Sequence, residues 1–442
     1  MVANEQDTIF ASASAAGKAA IVVFRVSGPG CGDTMKALAP GSELVPRVAT
    51  VRMLRYPNSD EAIDKAIIVR FERPNSFTGE DLLELHVTGG RAVSAALIRA
   101  LTQVPGLRPA NPGEFAWRAF VNGKIDLSGV EGLAELVEAE TEAQRRQAQR
   151  IASGSLRREC EAIRTLLIEA MGAVEAQIDF ADVEETAAYT LNTVKRSVRA
   201  AAARIHKALS TGVVAERLRT GFTVVIAGPP NVGKSTLMNV LAGRDVAITS
   251  PIAGTTRDPI EVFLDLRGYP VALVDTAGIR SSEDVLESEG IKRALRRAES
   301  ADLMLWLSDD AADTPPIAQS PIFRVRAKID LFDGSSDLKS TSEFAISAKT
   351  GQGIDQLLEA IADRAVEHMS SSEPALLTTE RHRQAFRSAM TALDSILLCA
   401  GAELELIAED LRSAAAALDS VVGRIGVDAV LGEIFSRLCI GK

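Results

Sequence analysis

The stretch Gly228-Pro229-Pro230-Asn231-Val232-Gly233-Lys234-Ser235 decides how this chain is read. It fits G-x-x-x-x-G-K-[ST], and its flanks give that pattern a mechanism. Before it, Phe222-Thr223-Val224-Val225-Ile226-Ala227 is the short apolar run of a buried parallel strand. After it, Thr236-Leu237-Met238-Asn239-Val240-Leu241 reads as the first turns of a helix. Glycines let backbone N–H groups approach phosphates, and a helix N-terminus favours their negative charge. In this setting Lys234 is expected to reach the β- and γ-phosphates of a nucleotide, and Ser235 to bind Mg²⁺.

The bulk composition sets limits around that loop. With 442 residues the chain is too long for a single core and points to about three domains. It is 46% hydrophobic and 24% charged, which is ordinary for a soluble globular protein. No apolar run reaches the ~18–20 residues of a membrane span. Residues 1–7 are polar and acidic, so no secretory signal is expected. The four cysteines, Cys31, Cys160, Cys399 and Cys439, form no C-x-x-C, which argues against a zinc site or disulfide framework and suits a reducing cytoplasm. A net charge of −10 means that any grip on nucleic acid needs a local basic patch or a second protein.

Residues 1–118 read as a compact α/β unit. Short β-branched runs at 20–26, 48–54, 65–71 and 82–87 are strand candidates. Residues 91–102 read as a helix with Val93, Leu97 and Leu101 on one face, and 105–113, rich in Pro and Gly, as a loop. Residues 119–219 are expected to form a helical domain's first half, with a helical pattern from about 127 to 178: Leu156, Cys160, Ile163, Leu167, Met171, Val174 and Ile178 make one apolar stripe. Asp179-Phe180-Ala181-Asp182 interrupts it, and a further helix is expected at about 191–209. Comparable stripes return only in 368–442, at Phe386, Met390, Leu393 and Leu397, then Leu404, Ile407, Leu411 and Leu418. Each half needs cover. The economical solution is one helical bundle in two pieces, with 220–367 inserted as a module. The cluster Arg145, Arg146, Arg150, Arg157 and Arg158 lies among Glu140, Glu142, Glu159 and Glu161, and reads as a salt-bridged solvated face, with an RNA-binding stripe as the alternative.

Within the inserted module, Asp275-Thr276-Ala277-Gly278 follows the apolar strand 271–274. An aspartate at a parallel strand's end can hold Mg²⁺ through water, and the glycine N–H can sense a γ-phosphate. Ser250-Pro251-Ile252-Ala253-Gly254-Thr255-Thr256-Arg257-Asp258 has the length of a switch loop, and Thr256 can close on Mg²⁺ when the γ-phosphate is present. Residues 303–307 and 322–325 supply two more strands, and Ser347-Ala348-Lys349 follows a last one. These motifs in this order read as a GTPase, with an adenine-specific P-loop enzyme as the alternative. The expected nucleotide contacts are Asn231, Val232, Gly233, Lys234, Ser235, Thr236, Ser250, Thr255, Thr256, Asp275, Thr276, Ala277, Gly278, Lys328, Asp330, Ser347, Ala348 and Lys349.

Two departures from the common GTPase plan stand out. The base-reading N-K-x-D is Ala327-Lys328-Ile329-Asp330, so an amide is missing while the guanine-reading carboxylate and the base-covering lysine remain. The residue after Asp-Thr-Ala-Gly is Ile279, which cannot orient water as the Gln of Ras-like enzymes does. The span 309–321, rich in Asp, Ala and Pro, shows no helical stripe where such domains usually carry a helix.

Together, Gly-Pro-Pro-Asn-Val-Gly-Lys-Ser, Gly-Thr-Thr-Arg-Asp, Asp-Thr-Ala-Gly and the terminal Cys439-Ile440-Gly441-Lys442 resemble the MnmE (TrmE) family of bacterial tRNA-modification GTPases. Asn75-Ser76-Phe77-Thr78-Gly79-Glu80-Asp81-Leu82-Leu83-Glu84-Leu85, Pro112-Gly113-Glu114-Phe115 and residues 118–127 are similar as well. The resemblance implies a multidomain α/β plus α fold: an N-terminal α/β folate-binding and dimerisation domain, a discontinuous helical bundle, and an inserted P-loop (Ras-like) G domain. It implies a cytoplasmic homodimer that works with an MnmG-like FAD protein. The pair installs an aminomethyl or carboxymethylaminomethyl group on carbon 5 of the tRNA wobble uridine. The one-carbon unit comes from 5-formyl- or methylene-tetrahydrofolate, held by Arg25, Glu84, Lys124 and Lys442. It implies K⁺ in place of an arginine finger, held by Asn231, Ser250, Ile252 and Thr255, and Glu287 as the residue that positions water. Cys439 then lies near folate and the target base with a catalytic or redox role; a buried structural cysteine is the alternative. The final four residues mimic a prenylation box, but Lys is not a usual last residue. His86, near Glu84, reads as packing. Two rivals stand beside this reading: a ribosome-assembly GTPase of the Era or EngA type, and a non-catalytic GTP-binding switch.

Overall fold

Alternation along Ile21–Ser27 sets the first layer of the molecule: Val22, Phe24 and Val26 are buried and the residues between them are not. The computed structural model describes residues 7–15, 17–179, 184–248, 261–275, 301–309, 321–331, 344–370, 375–398, 403–425, 434–435 and 441. The chain divides into two compact units, 1–134 with 419–442, and 135–418.

In the first unit, strands β1 (Thr8–Ser12), β2 (Ile21–Ser27), β3 (Thr50–Arg55), β4 (Ala62–Phe71), β5 (Leu82–Thr88) and β6 (Leu107–Pro109) form one sheet in the order β3-β4-β5-β2-β1-β6. All neighbours are antiparallel except β1 and β6. Helices α1 (Cys31–Leu38) and α2 (Arg91–Thr102) share one core with this sheet, adding Cys31, Leu38, Leu97 and Leu101 to Phe24, Val26, Leu54, Ile68 and Leu85. The opposite face carries a smaller cluster of Ile9, Ala11, Ala110 and Phe115, the last from α3 (Glu114–Val121). Elsewhere on that face Ile21, Val51, Met53 and Ile67 stay exposed. Near the chain's end, Phe435 packs edge-on against Trp117, in a cluster with Ala116, Leu127 and Val130, the last two from α4 (Leu127–Glu138).

Three of these elements differ from the sequence expectation. The stretch 105–113 is not all loop: β6 lies within it, three residues long and ending in a proline that hides its strand character. Strand β1 and helix α1 were not anticipated, since neither Thr-Ile-Phe-Ala-Ser nor Cys-Gly-Asp-Thr-Met-Lys-Ala-Leu is long enough to show a period.

The second unit combines helices with a sheet. α5 (Glu142–Ala152) begins with a capping box, Thr141 and Gln144 serving each other's backbone. α6 (Ser155–Asp179) and α7 (Glu184–Ser210) pack along their lengths, and α11 (Glu380–Leu398) packs on α7. A helix from before the phosphate loop and one from after it therefore share one core. The buried line of α6 is Leu156, Cys160, Ile163, Leu167, Ala170, Val174 and Gln177. Its steps of four and three alternate strictly, the 3.5-residue period of two helices wound on each other. The expected stripe instead took Met171 and Ile178; Met171 is half-buried and Ile178 is 37% exposed. The arginine cluster is largely paired, Arg145 and Arg146 to Glu142 and Arg157 to Glu161.

After α8 (Gly212–Thr220), strands β7 (Phe222–Ala227), β8 (Glu261–Leu266), β9 (Tyr269–Asp275), β10 (Leu303–Ser308), β11 (Ile322–Arg326) and β12 (Phe344–Ala345) form a sheet ordered β12-β11-β10-β7-β9-β8. It is parallel except for the edge strand β8. α9 (Lys234–Ala242) and α10 (Ile354–Met369) pack on it through Leu237, Leu241, Leu357 and Ile361. α12 spans Leu404–Val422. No helix among the described residues is long and apolar enough to cross a membrane.

Candidate active site

Strand β7 has β10 on one side and β9 on the other, so the crevice beyond its C-terminal end is a topological switch point. The glycine loop fills that crevice. Gly228 has φ +151°, and a Cβ there would lie 2.1 Å from the Leu307 carbonyl oxygen, so any side chain is excluded. Asn231, at φ 61°, and Gly233, at φ 111°, turn the loop left-handed just before α9. Buried Val232 anchors the loop in the core.

Lys234 is 8% exposed, and its Nζ donates to the carbonyl oxygens of Gly228 at 2.9 Å and Pro229 at 2.7 Å. The ammonium thus stretches back along the loop it follows. Ser235 Oγ donates to Asp275 Oδ2 at 3.1 Å. Asp275 ends β9 in register with Ile226 of β7, which is how two residues forty positions apart meet. A hydroxyl and a carboxylate converging at the head of a phosphate loop form the hard oxygen donor set that Mg²⁺ prefers. Ser235 and Thr236 are exposed.

The residues expected to read the base collect at the ends of β11 and β12. Asp330 Oδ1 accepts a hydrogen bond from Ser347 Oγ at 2.6 Å, and that bond holds the carboxyl below the usual aspartate range. Ser347 is fully buried, Ala348 half-buried and Lys349 exposed. Lys328, at φ 59°, places its Nζ 2.8 Å from Asp309 Oδ2. Asp309 carries no sequence signal, because it lies just past β10 and only the sheet order brings it beside the end of β11. Ala327 is 5% exposed, and its N–H donates to the Ser308 carbonyl at 2.8 Å. Restoring the amide by Ala327→Asn is expected to tighten GDP binding by about 1–2 kcal/mol, the scale of one buried hydrogen bond. Titration calorimetry reads this directly, and an unchanged Kd would refute it.

In the first unit, Arg25 and Glu84 face each other across β2 and β5. Arg25 Nε donates to Glu84 Oε1 at 3.0 Å, and the guanidinium lies 5.5 Å from the centre of the Phe77 ring. His86 Nε2 is 3.4 Å from Glu84 Oε2. Phe77 and His86 therefore join the pair, which the two-residue alternation of β5 allows for positions 84 and 86. Lys124 Nζ donates to the Pro74 carbonyl oxygen at 2.6 Å. The cation of Arg25, the carboxylate of Glu84 and the Phe77 ring suit a planar heterocycle with polar edges. Cys31 is buried and makes long contacts to the carbonyls of Val26 and Asp81, and burial pushes its thiol up to about 12. Cys160 is buried in the α6 line. Ser250, Ile252, Thr255, Thr256, Thr276, Ala277, Gly278, Glu287, Cys439 and Lys442 lie outside the described residues, as does the span 310–320.

Comparison with known proteins adds an independent line. The model of the MnmE helical domain matches residues 127–439, and that of the GTP-binding protein TrmE N-terminus matches 8–124. A tRNA modification GTPase MnmE from Beijerinckia indica is 48% identical over 438 residues, covering 99% of this chain and 96% of the relative. The protein of that name from Methylorubrum populi is 48% identical over 442 residues, covering 99% and 98%. That from Rhodopseudomonas palustris is 47% identical over 457 residues, covering 98% and 99%.

Proposed function

The chain belongs to the MnmE family of tRNA modification GTPases, and from that premise we propose that it is a K⁺-dependent GTP hydrolase acting on the tRNA wobble uridine. In this reading it works in the cytoplasm as a homodimer with a flavoprotein partner. Its product is an aminomethyl or carboxymethylaminomethyl group on carbon 5, drawn from a tetrahydrofolate one-carbon unit. The observation that carries the reading is the joining of Ser235 to Asp275 next to the loop that holds Lys234, with the Asp330 carboxylate held by Ser347.

The chain's segments take the following parts in this proposal. Residues 1–118 bind folate and dimerise, 119–219 and 368–442 form the helical domain, and 220–367 form the G domain. Arg25, Glu84 and Lys124, with Lys442, hold the folate; the Phe77 ring beside Arg25 supports a flat heterocycle there. The exposed row of Val51 and Ile67, paired across β3 and β4, supports a second copy covering that sheet face. Ser235 and Thr256 would hold Mg²⁺, and Asn231, Ser250, Ile252 and Thr255 would hold K⁺. Bound there, the two cations offset the charge that develops on the phosphates.

Within this reading Lys234 orients the β- and γ-phosphates, and the N–H groups of 231–236 enclose them. Glu287 positions the attacking water, the role that Ile279 cannot fill. Glu287→Ala is expected to lower hydrolysis by about 10²–10⁴, the scale of a lost general base, with GTP affinity unchanged. Na⁺ in place of K⁺ is expected to slow the unmodified protein sharply. Phosphate release in K⁺ and Na⁺ buffers tests both. Equal rates in the two salts overturn the K⁺ assignment, and full turnover by Glu287→Ala moves the water-positioning role to another residue.

A further inference from the structure

Helix α8 is nine residues long, and four consecutive residues of it reach into different parts of the second unit. The Ala215 carbonyl accepts a hydrogen bond from Gln147 Nε2 of α5 at 3.4 Å. The same amide donates to the Ala375 carbonyl, also at 3.4 Å, between α10 and α11. Glu216 pairs with Arg383 of α11 at 3.2 Å. Arg217 pairs with Asp302 through Nε at 2.7 Å and Nη2 at 2.6 Å. Leu218 is buried in the core of the sheet.

Each end of this chain of contacts is anchored. The other oxygen of Asp302 accepts the Thr223 N–H at 3.0 Å, so Arg217 grips a carboxylate already fixed at the start of β7. Asp302 immediately precedes β10, and the far end of β10 runs into Asp309, which holds Lys328 at the base pocket. On the other side, Arg383 is 7% exposed and also binds Glu380 through its Nε, at the first turn of α11. Arg383 Nη1 is buried without an acceptor among the described residues. A buried donor left unsatisfied in one arrangement favours any second arrangement that supplies its acceptor.

We propose that α8 is the strut that transmits occupancy of the GTP site to the α7–α11 helical core, with Arg217 and Glu216 as its positioning residues. This rests on the GTPase reading and names how that site is coupled to the rest of the protein. A loop between the two parts would absorb a displacement of β10. A helix held by adjacent ion pairs on either side passes it on, because a packed element shifts as one body. Arg217 meets the sheet at the start of β7, and the glycine loop follows the other end of that strand, so loss of Arg217 or Glu216 removes coupling and leaves hydrolysis in place.

The test uses full-length protein and hydrogen–deuterium exchange of the α11 amides with and without a non-hydrolysable GTP analogue. In the unmodified protein the analogue is expected to slow exchange in α11 by about fivefold or more, the lower bound of ordinary coupling between sites. In Arg217→Gln that slowing is lost while analogue affinity and K⁺-stimulated hydrolysis stay within about twofold of the unmodified protein. Arg217→Lys, which keeps the charge, restores it. Glu216→Gln removes the other link from a side chain that is 47% exposed, and decides the matter if Arg217→Gln fails to fold. A nucleotide-dependent slowing that survives in the folded variants overturns the proposal, as does its absence from unmodified protein that binds the analogue. Failure of the unmodified protein to bind the analogue is a different result, since it removes the GTPase reading itself.

Discussion

Lys234→Ala is expected to lower kcat for GTP hydrolysis by about 10²–10³, the scale of removing one preorganised donor from a charge-developing site. Lys234 is 8% exposed, and its Nζ is fixed by the carbonyls of Gly228 and Pro229. Those bonds hold the ammonium within the loop, where its charge opposes the charge that builds on the phosphates. Alanine removes that charge and frees two carbonyls, so some loss of stability accompanies the loss of rate. Thermal melting and nucleotide binding separate the two effects. Phosphate release within tenfold of the unmodified protein, in a variant that melts normally, would contradict the assignment.

Asp330→Asn is expected to weaken GTP binding by about 10²–10⁴ and to raise affinity for xanthosine triphosphate. Guanine offers N1–H and an exocyclic amine to the carboxylate. Two hydrogen bonds to a charged acceptor are worth about 1.5–3 kcal/mol each. Ser347 Oγ donates to Oδ1, and this fixes the plane of the carboxyl and keeps it ionised. In the variant the amide oxygen can still accept from Ser347, which turns the –NH₂ toward the base. Guanine then meets donor with donor, while xanthine presents a carbonyl at the same position. The absence of the usual Asn at 327 makes the site depend more heavily on Asp330. Competition binding with the two triphosphates reads the switch. Retained preference for GTP would mean that Asp330 does not face the base.

The legible parts of this molecule are those whose chemistry is local. The loop 228–235 carries its own signal, because glycine spacing, lysine and serine all act within one turn. The parallel sheet followed from apolar runs of strand length. Less could be read where partners decide. Nothing in the sequence around Ala170 and Gln177 marks them as core, and Met171 and Ile178 look better on hydrophobicity alone. Their burial is set by the period of the α6–α7 pair. Asp309 has no motif of its own and meets Lys328 only through strand order. Arg25 and Glu84 are 59 positions apart, and only antiparallel register joins them. In the sequence they stood out through family resemblance, while Phe77 and His86, which complete their surroundings, were not counted with them.

The edge strand β8 shows a related limit. Its register with β9 ends at the Leu266–Tyr269 pair, where Arg267 at φ 54° and Gly268 at φ 85° make the turn. Gly268 also accepts the Ala143 N–H at 2.9 Å, which ties this hairpin to α5. A two-residue turn is visible in a sequence only when the strands around it are recognised, and β8 was not. The tie between hairpin and helix is a tertiary fact with no local trace.

The central claim is that this GTPase serves modification of the tRNA wobble uridine. Nucleoside analysis of tRNA from cells lacking the protein tests it most directly. The account predicts loss of the aminomethyl and carboxymethylaminomethyl groups from carbon 5, restored by the unmodified protein but not by Lys234→Ala. A wobble uridine that carries its full modification in cells lacking the protein would contradict the account.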